Sequence, residues 1–429
     1  MKYIIIVIIL TFKFTYLFSE DNLIFFVDSA FKNNPKLNAE RNNFKAIKEN
    51  INISRSEFLP NLTVSGSQTS TETYNQTTRA GQNLSDTNIN TETKSFSIDQ
   101  KIFQGFQGYN SLKKSQLELE KAKFQLQQIE QETILKSVTV FYDLIFKNKS
   151  KNFNISNVDL FERQVESDSV RLQKGEISLT DLAQSESSLA GARAKLIAAE
   201  TNFLTSKTDF ERITRAIVPE NLEFKNELYI DLPTNLNEAL KLSKTNNPNL
   251  LVAKMESLIT EKELNIEKAK FAPTASLNYT KSENNDFSSS VDENDQETVK
   301  ATLSWPIIKG GKNYSSIKKS RYKNEESRLL LEDTKNEITS STTNAWSSFQ
   351  SSKSVLQATK AQLKAAEIAN EGITLEYDSG NTRTTLEVIQ SRTLLLDARI
   401  SSAKAERDFV VAQFELLDMI GNLSLSTFK

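Results

Sequence analysis

Between Tyr109 and Lys174 the chain contains neither glycine nor proline, and the same holds from Lys312 to Glu371. Proline breaks a helix and interior glycine weakens one, so each run is free to form a single helix. At about 1.5 Å per residue, the first run alone would reach on the order of 100 Å. Its apolar residues Leu119, Phe124, Leu126, Ile129, Ile134, Val138, Phe141, Leu144 and Ile145 form a narrow stripe with polar flanks. Such a stripe suits coiled-coil pairing better than a globular core. The polar stretch from Asn148 to Asn157 offers one place for a break. Each run meets a glycine-bearing turn, Leu172-Gln-Lys-Gly175-Glu-Ile-Ser-Leu-Thr180-Asp181 or Tyr377-Asp-Ser-Gly380-Asn-Thr-Arg383. A second helix then returns through Phe210 or through Ile420. Gly175 and Gly380 suit left-handed helix ends, where the missing Cβ removes the steric penalty.

The two runs belong to a tandem repeat. Asn33-Asn-Pro35-Lys-Leu37 recurs as Asn246-Asn-Pro248-Asn-Leu250, and Phe58-Leu-Pro60 as Phe271-Ala-Pro273. Phe103-Gln-Gly105 corresponds to Ile308-Lys-Gly310, Phe141 to Trp346, and Gln184-Ser185 to Gln390-Ser391. The second glycine turn is one residue longer, which makes Asn381 an insertion. At the N-terminus Lys2 precedes the apolar run Tyr3–Leu10, and Ser19 precedes Glu20-Asp21, the layout of a signal peptide. The chain therefore divides into a signal peptide at 1–19, a first repeat at 20–216, a linker at 217–235, a second repeat at 236–422 and a short tail at 423–429.

Each repeat runs through the same signals. Asn-Asn-Pro places a capping Asn before a proline at the first helical position, and Phe-x-Pro ends the helix that follows. Two strand-like segments come next, at about 62–70 and 94–103 in the first copy and about 274–282 and 297–306 in the second. In the last of these, Val299, Ala301, Leu303 and Trp305 alternate with Lys300, Thr302 and Ser304, the period-two signal of a strand with one apolar face. The intervening segments, about 71–92 and 283–296, are almost wholly polar and read as long exposed loops.

Several chemistries are excluded by what the chain lacks. It has no cysteine and no histidine among its 429 residues, so thiolate and imidazole chemistry are unavailable. No phosphate-cradling glycine loop or Gly-x-Ser-x-Gly nucleophile motif is present. The reading is therefore of a protein that is not an enzyme and carries no cofactor or metal. A net charge of −2 leaves no basic footprint for nucleic acid.

Four strands per chain cannot close a barrel and would leave two open edges. Strands of about 9–11 residues with one apolar face fit a tilted membrane-spanning barrel, so closure calls for several copies contributing strands to one barrel. A periplasmic structural or adaptor coiled-coil protein without its own pore is the alternative that the residues leave open.

The ordered set of duplication, Asn-Pro-x-Leu, Phe-Leu-Pro followed by a strand, the Phe103-Gln-Gly105 and Ile308-Lys-Gly310-Gly311 turns, and the two glycine returns resembles the TolC-type outer-membrane efflux proteins. The resemblance covers about residues 20–422 and implies an α+β membrane protein. Its long helices would form a coiled-coil barrel across the periplasm of a Gram-negative bacterium. Four strands from each chain of a homotrimer would complete one transmembrane β-barrel in the outer membrane. The implied function is a passive exit duct of a tripartite efflux or type I secretion system, fed by an inner-membrane transporter through a periplasmic adaptor.

The resemblance also assigns a gate at the periplasmic entrance. Thr180 and Asp181 match the family's Thr-Asp in the first turn. Tyr377 matches its gate tyrosine, and Arg383 stands in its Thr-Arg-Thr. Glu387 takes the first of two acidic positions that ring the pore, and Gln390 occupies the second, where the family pattern has an aspartate. Gly175 and Gly380 mark the helix-turn tips. Read without the family, Ser178-x-x-Asp181 and Thr384-x-x-Glu387 are also capping boxes, a role compatible with gating.

Overall fold

The protein's structure, a computed structural model, describes residues 23–219, 230–379 and 383–428. The expected signal peptide, part of the linker, and Gly380 with Asn381 lie outside the described residues. The first half comprises α1 (Leu23–Asn33), α2 (Pro35–Ser56), β1 (Asn61–Thr73), β2 (Thr87–Gln104), α3 (Gln107–Gln173) and α4 (Leu179–Thr214). The second comprises α5 (Leu236–Asn246), α6 (Pro248–Ala269), β3 (Thr274–Ser288), β4 (Val291–Ser304), α7 (Lys312–Asp378) and α8 (Thr385–Met419), followed by a 3₁₀ turn at Leu425–Phe428.

The duplication is written into lengths and caps. α1 and α5 both have 11 residues, α2 and α6 both have 22, and α3 and α7 both have 67. Asn34 accepts from the backbone N–H groups of Lys36 and Leu37 at 2.9 and 3.3 Å. Asn247 does the same for Asn249 and Leu250, at the same two distances. Proline follows each cap, where its missing N–H costs nothing.

α3 runs unbroken through the polar stretch Asn148–Asn157. There the Asn154 amide donates back to the Ser150 carbonyl at 2.8 Å, and Lys149 pairs with Glu406 of α8 at 2.9 Å. The polar groups of the stretch are thus met by α8, by α3's own backbone or by solvent, and none interrupts the helix. Between β2 and α3, Gly105 has φ +58, and a Cβ there would sit 2.4 Å from the Ala272 Cβ and 2.7 Å from the Ala269 carbonyl oxygen. Glycine thus serves both the turn and the close approach of α6's end.

The strands form one antiparallel sheet in the order β1-β2-β3-β4. They run further than their apolar residues indicate. β1 continues to Thr73, β2 begins at Thr87, and only two residues separate β3 from β4. The segment at 283–296, read as a long loop, is therefore mostly strand, and the loop read at 71–92 shortens to 74–86. Threonine-rich segments adopt β structure readily, and with polar residues on both faces they carry no alternation to announce it.

Register assigns the faces. Leu62, Ile98, Tyr279 and Val299 form one cross-strand row, while Asn61, Asp99, Asn278 and Lys300 form the adjacent row on the opposite face. The polar face continues through Thr63-Ser97-Thr280-Thr298 and Ser65-Ser95-Ser282-Gln296. The apolar face is confined to the helix-proximal half of the sheet. Further out it carries Lys94, Lys281, Glu283, Asp295 and Glu297. β1 and β4 each present one edge with no partner strand among the described residues.

The main core is a belt around the middle of α3. Ile134, Val138, Phe141, Leu144 and Ile145 pack with Phe26 of α1, Phe210 of α4, and Val411, Phe414 and Leu417 of α8. The Phe26 ring lies 5.1 Å from Phe210 and 5.7 Å from Phe141, centroid to centroid. Each such side chain contributes about 1.5–3 kcal/mol through burial. Trp346, the counterpart of Phe141, is only partly buried at the edge of this belt. No helix among the described residues is long and apolar enough to cross a membrane.

Candidate functional site: the helical-hairpin tips

Two helix returns lie together at the end of the molecule remote from the sheet. In the first, α3 ends on Gly175 at φ +74, with its N–H donating to the Leu172 carbonyl at 2.9 Å and the Glu176 N–H to that of Arg171 at 2.9 Å. Open space surrounds the position a Cβ would take, so the left-handed backbone is the reason for glycine there. α4 then starts at a complete capping box. The Ser178 hydroxyl accepts from the Asp181 N–H at 3.2 Å, and the Asp181 carboxylate accepts from the Ser178 N–H at 2.9 Å and its hydroxyl at 2.7 Å. These bonds, the hydroxyl's first, hold the Asp181 carboxyl below the usual carboxylate range. Thr180 is exposed beside it.

The second return repeats the chemistry with different neighbours. Thr384 caps α8, accepting from the Glu387 N–H at 3.3 Å, and the Glu387 carboxylate accepts from the Thr384 N–H at 2.8 Å. Arg383 pairs with Glu387 at 2.9 Å and with Glu376 of α7 at 2.6 Å. The Thr384 backbone first, then Arg383, lowers the Glu387 carboxyl below its usual range. Both partners of Arg383 belong to its own hairpin. Among the described residues, no hydrogen bond or ion pair joins Thr180 or Asp181 to Tyr377 or Arg383 within the chain.

Tyr377 instead turns inward. It is 5 % exposed, and its hydroxyl donates to the Asp168 carboxylate of α3 at 2.8 Å. The same oxygen lies 3.1 Å from the Thr385 hydroxyl and 3.3 Å from the Gln164 amide nitrogen. Asp168 is wholly buried, and also accepts from Gln164 at 2.9 Å and from the Ser185 hydroxyl of α4 at 2.5 Å. Burial, with the bond to Asp168, raises the tyrosine's pKa. The Arg171 guanidinium lies over its ring at 4.6 Å, and Arg392 of α8 donates to the Leu160 carbonyl of α3 at 3.0 Å. Sequence reasoning missed Asp168 and Gln164. The one signal available was two hydrogen-bonding residues four apart, one turn from the end of a helix with no other breaks.

Glu387 and Gln390 line an open groove of about 430 Å³ between α7 and α8, with Ala365, Ala366, Ala369 and Leu394. Among the described residues no group of three or more acidic side chains is placed to hold a metal ion.

Comparison with known proteins places this architecture. The model of the outer membrane efflux protein family matches residues 26–214 and 239–422, one match for each half. The outer membrane efflux protein BepC of Brucella suis is 25% identical over 397 residues, covering 92% of this chain and 84% of that protein. The outer membrane protein TolC of Escherichia coli is 22% identical over 425 residues, covering 96% and 84%. The Campylobacter jejuni CmeC outer membrane channel superposes with a TM-score of 0.84 at 14% identity, covering 94% of this chain and 88% of that one. With its family model matched across both repeats, this chain belongs to the outer membrane efflux proteins, channels of the outer membrane that extend into the periplasm.

Proposed function

We propose that three copies of this chain form the exit duct of a tripartite efflux or type I secretion system, with an entrance held closed at the hairpin tips. One observation carries the reading: among the described residues, a four-stranded antiparallel sheet with two unpaired edges, one polar face and one face that is apolar in its helix-proximal half sits above paired helices. β1 of one copy and β4 of the next would satisfy each other's backbone groups, as a lipid environment requires. The apolar row Leu62-Ile98-Tyr279-Val299 would then meet lipid, and the hydroxyl and amide rows would line a wet lumen.

The tips supply the gate. Arg383, held in its own hairpin, is free on its outer side to meet Thr180 and Asp181 of a neighbouring copy, where guanidinium and carboxylate pair in bidentate geometry. An exposed pair contributes only about 0–1 kcal/mol, so closure depends on threefold repetition. Three Glu387 carboxylates around the mouth favour cations, and Gln390 leaves the next level uncharged. A periplasmic adaptor would dock at the tips around Gly175 and Gly380 and connect the duct to an inner-membrane transporter.

Membrane fractionation with analysis of the native oligomer tests this reading. A trimer in the outer-membrane fraction is the expected result, and a soluble periplasmic species would overturn it in favour of a pore-less coiled coil. Crosslinking from Glu176→Cys tests the docking site, and failure to capture any envelope protein would remove it.

A further inference from the structure

We propose that a cleft beside α3 is a peptide-binding site, taking an extended segment of a partner protein that carries one apolar and one basic side chain. Its centre, at Gln131, lies about 36 Å along α3 from Gln107 at about 1.5 Å per residue, away from both the sheet and the hairpin tips. Binding there is separate from passage through the duct, so either can hold without the other.

The cleft has a volume of about 1020 Å³, at the upper end of the range that holds a drug-sized ligand. Gln131 lines it at 3 % exposure, and its amide nitrogen has no hydrogen-bond partner among the described residues. A buried donor left unpaired destabilises the protein, so an acceptor supplied from outside the chain is favoured there. The duplication shows that the fold does not demand this amide. Position 131 corresponds to Asn336 of α7, by the spacing that pairs Phe141 with Trp346, and Asn336 is exposed.

The lining decides the kind of acceptor. Among its described residues, the acids Glu130 and Asp231 are set against one cation, Lys123, which is exposed. A phosphate or carboxylate would meet net negative charge, whereas the carbonyl of a neutral peptide group would not. Phe31, Leu126, Ile134 and Leu417 add apolar surface for a side chain. Glu130 is also weakly compensated. Arg41 stands 3.9 Å away and donates instead to the Phe31 carbonyl at 2.8 Å and to the Asn38 side chain at 2.9 Å. Burial pushes the Glu130 carboxyl up in spite of Arg41. A lysine or arginine of the ligand would complete that pair.

The wall at 421–427 is fixed without a ligand. Gly421 turns at φ +77 against the Asn246 carbonyl, and the Asn246 amide donates to the Asn422 side chain at 2.9 Å. The Ser424 N–H donates to the Thr427 hydroxyl at 3.1 Å, and the next residue, Phe428, stacks on Phe414. A preformed wall lowers the ordering cost of binding.

The test uses the purified full-length protein in its native oligomer, with an environment-sensitive fluorophore on Ser426→Cys. That position is exposed on the wall, and the chain has no other thiol. Two capped tetrapeptides are titrated, glycyl-leucyl-lysyl-glycine and glycyl-leucyl-glutamyl-glycine. The basic peptide should give a saturable shift, and the acidic one should bind several-fold more weakly at low salt. Gln131→Met keeps the length of the side chain and removes its donor, so the Kd of the basic peptide should rise about fivefold or more. Without peptide the same variant should keep or raise the wild-type Tm, because no bond within the protein is lost. Gln127→Trp, which fills the cleft from a half-buried position, should abolish the shift and carries the test if Gln131→Met does not fold. No saturable shift with the basic peptide, equal affinity for the two peptides, or binding that neither variant weakens would overturn the inference. A lower Tm in peptide-free Gln131→Met, or folded protomers that no longer assemble, would overturn it too, since the amide would then serve the fold or a contact between copies. None of these outcomes is read from conductance, so loss of the site and loss of the duct are told apart.

Discussion

α3 and α7 occupy equivalent places in the repeat and have equal length, yet they are buried very differently. α3 buries side chains along most of its course, from Ser115 and Ala122 through the belt around Phe141 to Asp168. α7 buries only Ser320, Ser327, Ile338, Thr342 and Tyr377, and leaves Leu329, Leu330, Val355, Ile368 and Leu375 at 49–65% exposure. Local sequence does not explain the contrast, since both are long glycine-poor helices of similar polarity. Neighbours do: α3 packs against α1, α2, α4, α6 and α8, whereas α7 packs against α5, α6 and α8. An exposed series of large apolar residues on a helix this long is unfinished burial. In the proposed trimer it is completed by the next copy.

The largest test of that contrast is Phe141→Ala, which should lower protomer stability by about 3–5 kcal/mol, read by chemical denaturation. Trp346→Ala, at the matching position on α7, should cost clearly less in dissociated protomers. Equal losses would remove the distinction between an inner and an outer long helix. Next in size is Ile368→Asp, which should leave the helix content of the protomer unchanged and weaken assembly by about 1.5–3 kcal/mol per copy, read by sedimentation in detergent. An unaltered oligomer would show that this part of α7 faces solvent or lumen.

Asp418, near the end of α8, probes the α3 side by pH. Burial first, then the nearby Glu132 of α3 and Glu415, pushes its carboxyl up to about 6. A raised acid favours the folded state while protonated, so stability falls as pH rises from about 4 through 6. Asp418→Asn should therefore stabilise at pH 7 by about 1–2 kcal/mol and have no effect at pH 4, as read by thermal unfolding at the two pH values. The smallest expected effect is at the caps. Ser178→Ala and Thr384→Ala should each cost about 1 kcal/mol. Asp181 and Glu387 titrate below their usual range, so their capping contribution persists above about pH 4 and is lost as pH falls further. Hydrogen exchange of the first turns of α4 and α8 reads both results.

The long helices, the repeat and both capping boxes were legible because each depends on local chemistry: an absence of Gly and Pro, an Asn-Pro pair, a Ser or Thr three residues before an acid. The far ends of the strands were not. Their Thr, Ser and Asn residues face water on one side, and charged residues such as Lys281 and Glu297 occupy the other, so no alternation appears. The continuity of α3 through Asn148–Asn157 was hidden for a related reason, since a polar run reads alike whether solvent or a neighbouring helix satisfies it. Asp168 was the least legible. Helical periodicity identifies which residues share a face but not which polar residue on that face is buried, and the donors come from Ser185 and Tyr377, far away in the chain. The gate residues named by resemblance sit at the tips, but within the chain Tyr377 finds Asp168, and Arg383 finds Glu376 and Glu387.

The central claim is that this protein is a duct closed at its helical tips, and planar-bilayer conductance of the purified protein, wild type beside Arg383→Ala, tests it most directly. The account predicts small, cation-selective currents in the wild type that rise in the variant as the links to Thr180 and Asp181 of the neighbouring copies are lost. Folded, membrane-inserted protein that passes no current in either form would contradict it.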